Sequence, residues 1–139
     1  MTEQSNPDQT SAEAVDDNAI EEGHQIMYKK YYHKKLIRDG IVEIIEAKGG
    51  DFEAKTLSDK NFIQELKLKL VEESKELLSA PSNRLLNELA DVLEVLKSIA
   101  SYYHIPFGEI GKYQKKKRID RGGFKKKLYL VWSTGKKDK

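Results

Sequence analysis

The sequence predicts an all-α domain of four helices, followed by a short extended C-terminal segment. Three observations lead there. Apolar residues recur at helical spacing in segments that end at Gly-Gly or proline breaks. The stretch Glu72 to Asp91, EESKELLSAPSNRLLNELAD, reads as two helical segments meeting at Ala80-Pro81, a helical hairpin. The β-rich stretch near the C-terminus has no clear strand partner, so an extended strip over the helices is expected rather than a sheet.

The chain has 139 residues and a formal net charge of +2, enough for one compact domain. Residues 1–25 are polar and acidic, with too little apolar surface to offset their ordering entropy, and are expected to be a disordered tail. The domain is expected over 26–133, and 134–139 as a short basic tail. The start lacks the basic and apolar regions of a signal peptide, and no run approaches a membrane span. There is no cysteine, hence no disulfide framework and no thiolate metal site. A cytoplasmic protein without a membrane partner is the expectation.

Ile26 to Tyr32 mixes apolar, aromatic and basic residues and reads as a turn leading in. Leu36, Ile37, Ile41, Ile44 and Ile45 predict a first helix over Ile37–Lys48, with Gly40 inside it and Gly49-Gly50 as its stop. Phe52 and Leu57 are expected to tuck against helices. Ser58 is the expected N-cap of a second helix, Asp59 to Ser79. Pro81 cannot continue that helix and suits the start of the next. The third helix, Ser82 to Tyr103, is apolar over a broad arc and is expected to be the central core helix. That arc is wider than one hairpin can cover and points to self-association. His104-Ile105-Pro106 breaks it, with His104 read as a cap or surface residue. A fourth helix begins at Phe107, carries KKKRIDR and stops at Gly122-Gly123.

The acids of the hairpin carry the chemistry. Glu73 with Glu76, and Glu88 with Asp91, are pairs three residues apart, so each pair shares one helix face. Folded back antiparallel, the two helices would aim four carboxylates at one place. Glu73 lies inside the apolar arc of Phe62, Ile63, Leu66, Leu70 and Leu77. Glu88 lies inside that of the third helix, and Asp91 at its edge. A charge on a core-facing stripe is costly unless paired or metal-bound. Oxygen clusters of this kind select Mg²⁺, or Mn²⁺ in its place. The competing reading is a solvated helix surface with i,i+4 partners, the usual fate of an E-E-x-x-E run.

The order E-E-x-x-E, then E-x-x-D, resembles the signature of the MazG-like nucleotide pyrophosphohydrolases; here it comprises Glu72, Glu73, Glu76, Glu88 and Asp91. KKLIRDGIVEIIEAKG and RGGFKKKLYLVW resemble the opening and closing segments of the phosphoribosyl-ATP pyrophosphohydrolase-like branch, so the resemblance spans Tyr31 to Trp132. Gly40 and Val42 stand where that branch usually has Lys and Pro, and the spacer between Glu76 and Glu88 is short. The resemblance implies a helical-hairpin, four-helix-bundle-like fold assembled as a homodimer or homotetramer. It implies Mg²⁺-dependent cleavage between the α- and β-phosphates of a nucleoside triphosphate, giving the monophosphate and pyrophosphate.

On this reading Glu73, Glu76, Glu88 and Asp91 are the expected metal ligands and Glu72 the expected general base. Lys35, Arg38, Arg118 and Arg121 are the expected phosphate-binding cations, arginine being suited to forked phosphate contacts. Tyr102, Tyr103, Tyr113 and Trp132 could stack a base, with core packing the favoured role for each. Two alternatives stay open. One is phosphoribosyl-ATP hydrolysis in histidine biosynthesis. The other is a non-catalytic helical module whose basic C-terminal part, Lys112 to Lys127, docks nucleic acid or an acidic partner. The near-neutral total charge argues against nucleic acid.

Overall fold

The structure, a computed structural model, describes residues 13–16 and 29–135. Among these the chain is mainly helical. A two-stranded antiparallel hairpin, β1 (Glu13–Asp16) and β2 (Lys29–Tyr32), precedes α1 (Ile41–Ala47), α2 (Asp59–Ser79), α3 (Leu85–Tyr102) and α4 (Phe107–Arg121). No helix among the described residues is long and apolar enough to cross a membrane. The chain divides into two compact units, Met1–Ile99 and Ala100–Lys139.

The hairpin was not foreseen. It pairs Glu13 with Tyr32 and Asp16 with Lys29. Four residues of the expected tail are therefore a strand, and the rest of that tail lies outside the described residues apart from these. All of β2 is exposed. β2 is held by backbone pairing without burying a side chain, so no apolar alternation announced it.

In the first unit the helix ends follow local chemistry. α1 starts at Ile41, four residues later than predicted, because a turn closes first: the Ile41 amide donates to the Arg38 carbonyl at 3.1 Å. Gly40 becomes the flanking residue instead of an interior one, as its poor helix propensity favours. The predicted Gly-Gly stop is a Schellman closure. The Gly50 amide donates to the Ile45 carbonyl and the Gly49 amide to the Glu46 carbonyl, both at 2.9 Å. Gly49 takes the φ of +81° that this motif needs. α2 matches its predicted range, and Ser58 caps it, its Oγ accepting from the Asn61 amide at 3.2 Å.

α2 ends where Ala80 and Pro81 become extended, and a 3₁₀ turn over Ser82–Arg84 leads into α3. The third helix therefore begins as a 3₁₀ turn rather than as α-helix at Ser82. Of its apolar arc, Val95 is buried, with Ala100 at the head of the second unit. Leu86, Leu89, Leu93 and Leu96 form an exposed row, Leu86 at 83%. The arc is as broad as expected, but a single chain covers one edge of it.

In the second unit α3 closes through His104, in the left-handed region at φ +58°. The Ile105 amide donates to the Ala100 carbonyl at 2.9 Å and the His104 amide to the Ser101 carbonyl at 3.0 Å, a second Schellman closure. Pro106 then precedes α4, which ends at Gly122, φ +86°. α4 has no buried residue. The C-terminal segment is irregular and exposed, from Phe124 at 96% to Trp132 at 76%, so it does not lie packed over helices as expected. Tyr103, Tyr113 and Trp132 are likewise exposed rather than core residues, and Phe52 is exposed rather than tucked in. Short apolar runs bounded by lysines gain no burial within one chain.

Candidate metal centre

The hairpin brings its acids together. Carboxylate oxygens of Glu73, Glu88 and Asp91 all lie within 4.8 Å of one another. On one continuous helix, residues separated as Glu73 and Glu88 are would stand about 22 Å apart along the axis. Their convergence means that α2 and α3 fold back on each other around Ala80-Pro81. Glu73 of α2 thereby meets both Glu88 and Asp91 of α3.

Burial sets the character of the site. Glu88 is 3% exposed, the one charged residue among the buried described residues. Its Oε2 accepts from the Arg84 guanidinium at 3.2 Å and from the Asn87 side-chain amide at 3.3 Å. Glu73 is part-buried. Its carboxyl is pushed above the ordinary glutamate value of 4.5 by desolvation first, against the opposing pull of the Lys69 ammonium. The Asp91, Glu72 and Glu76 carboxylates add to the rise. Glu76 is also raised, again by desolvation first, then by Glu88 and Glu72, with Lys35 and Arg84 opposing.

Cations surround these acids. Lys35 donates to Glu72 Oε2 at 3.1 Å and Arg38 to Asp91 Oδ1 at 2.8 Å. Lys69 lies 3.5 Å from Glu72 Oε1 and 3.6 Å from Glu73. Of the nine residues singled out from the sequence, Glu72, Glu73, Glu76, Glu88, Asp91, Lys35 and Arg38 fall in this one constellation. Arg118 and Arg121 sit exposed in the last turn of α4, in the other unit. Sequence reasoning missed Lys69, Arg84 and Asn87. Lys69 precedes Glu73, and Arg84 precedes Glu88, by the i,i+4 spacing of a helical ion pair. That spacing could have found them.

The donor set suits a hard divalent cation: oxygen ligands only, from two adjacent helices, one of them a buried carboxylate. The surplus of carboxylates over local cations leaves the cluster short of positive charge. By contrast, an open groove of about 540 Å³ lined by Ile105, Glu109, Ile110, Tyr113, Gln114 and Lys117 contains a single carboxylate. Compared with protein-family models, curated proteins and solved structures, the chain matches none.

Proposed function

We propose that the chain is a divalent-cation-dependent nucleoside triphosphate pyrophosphohydrolase of the MazG-like, helical-hairpin type, acting in the cytoplasm on unwanted or non-canonical nucleotides. The observation that carries this reading is the convergence of Glu73, Glu88 and Asp91, with Glu88 buried, inside a ring of acids and bases. The order of motifs from Tyr31 to Trp132 supplies the reaction class.

Glu73, Glu88 and Asp91 would hold the ion, Mg²⁺ or Mn²⁺, with Glu76 beside them. When bound, such an ion supplies charge neutralisation of phosphate oxygens and activation of water. Water oxygen bonds to the α-phosphorus, the α–β bridging P–O bond breaks, and pyrophosphate leaves. The water's proton passes to a carboxylate. Each Glu72 oxygen faces a lysine ammonium and keeps a further lone pair for the proton. Glu76, whose carboxyl is raised, is the second acceptor to test. Lys35 and Arg38, which bridge to Glu72 and Asp91 from the segment ahead of α1, are the cations offered to the substrate's phosphates.

The exposed row Leu86, Leu89, Leu93 and Leu96 favours a homodimer or homotetramer. The exposed basic face of α4 favours a second reading, a module that docks an anionic partner.

The test is pyrophosphate release from a panel of canonical and modified nucleoside triphosphates and phosphoribosyl-ATP, with and without Mg²⁺. Mg²⁺-dependent formation of a monophosphate, lost in Asp91→Ala with folding retained, is expected. No turnover on any substrate by folded, metal-supplied protein would reject the enzyme reading and leave the docking module.

A further inference from the structure

Two kinds of cation hold the acidic cluster. Lys69 and Arg84 are one helical turn from the carboxylates they face, on α2 and at the entrance to α3. Their positions are set by the same helices that set the acids. Lys35 and Arg38 come instead from the irregular segment ahead of α1, reaching across the sequence to Glu72 and Asp91. The Arg38 guanidinium makes the shortest of these bridges, 2.8 Å, and yet its side chain is 55% exposed. It has open solvent to move into and no helix to hold it.

Resting on the metal-centre reading above, we infer that Arg38 is an exchangeable counter-ion of the site. It neutralises Asp91 in the metal-free protein and is released from Asp91 when a divalent cation binds. The reason is charge. A dication and a guanidinium on one carboxylate repel each other, and Coulomb repulsion at such range is not screened away. Arg84 is almost as exposed, at 49%, and stays because its partner Glu88 is buried and lies one helical turn away. Arg38 leaves because its loop allows it. Release turns a resting counter-ion into a free forked donor beside the metal, the group a phosphate oxygen pair takes best. Metal loading thereby prepares the anion site, and Lys35 on Glu72 is placed to follow the same exchange at longer range.

The experiment is a Mn²⁺ titration, with the metal alone, of full-length wild type, Arg38→Gln and Arg38→Lys. Free Mn²⁺ is read by electron paramagnetic resonance. In parallel, the Arg38 side-chain Nε–H signal is followed by NMR during Mg²⁺ addition, assigned by its loss in Arg38→Gln. Displacing a half-exposed ion pair implies that Arg38→Gln binds Mn²⁺ roughly two- to fivefold tighter than wild type. Arg38→Lys, which keeps the charge without the fork, is expected between them. In wild type the Nε–H signal should shift with the metal isotherm. A group that merely props the site would give weaker Mn²⁺ binding in Arg38→Gln, and a general field effect would leave the Nε–H signal unmoved; either result overturns the exchange while the metal centre stands. Absence of saturable Mn²⁺ binding in all three folded proteins would overturn the metal centre itself.

Discussion

Glu88 is the residue on which the site turns. It is a carboxylate buried at the 3% level and held by Arg84 and Asn87. Removing its cation leaves a desolvated charge with one amide donor, so Arg84→Ala should cost about 1–3 kcal/mol, read as a lower urea midpoint at unchanged m-value. Glu73 gives a pH signature. Its folded-state pKa is raised, so the folded chain holds the proton more tightly than the unfolded one. The associated stability is present below the ordinary value of 4.5 and lost as pH rises through the raised folded value. Glu73→Gln should therefore stabilise the metal-free protein more at pH 7 than at pH 4, and a pH series of thermal midpoints in EDTA checks it. A stabilisation that shrinks with rising pH would contradict the assignment. The acids were legible in the sequence because helical spacing placed Glu73 and Glu88 on apolar arcs. Which cation meets which acid was not, since Arg38 and Asp91 come together only through the fold.

At the scale of elements, the sequence foretells those whose ends are written in local hydrogen-bond chemistry. Ser58 before α2 and the glycines after α1 and α4 are of that kind. Ser58→Ala should cost about 1 kcal/mol through loss of the bond to the Asn61 amide. His104 fills a left-handed position usually given to glycine. His104→Gly should raise stability by up to about 1 kcal/mol, because it removes the Cβ penalty of that conformation, and chemical denaturation measures it. The elements read differently are those that local chemistry does not write. The β1–β2 hairpin depends on backbone pairing across a long separation, and the late start of α1 depends on a turn at Arg38. The C-terminal strip had the composition of a buried strand, but burial is a tertiary property and the strip has none within the chain.

The whole molecule shows few buried apolar side chains among the described residues: Leu66, Val95 and Ala100. Against that stands a row of exposed leucines on α3. Association of at least two copies is expected, and sedimentation at micromolar concentration checks it. Leu86→Glu with Leu89→Glu should shift the mass to that of the monomer. A monomeric wild type would contradict the proposal. The proposed activity needs an ion held by α2 and α3 together, and anomalous scattering from crystals grown with Mn²⁺ examines that most directly. The expected result is a peak bonded to oxygens of Glu73, Glu88 and Asp91, with Arg38 withdrawn from Asp91. Manganese bound elsewhere with these three carboxylates still closed on their basic partners would contradict it.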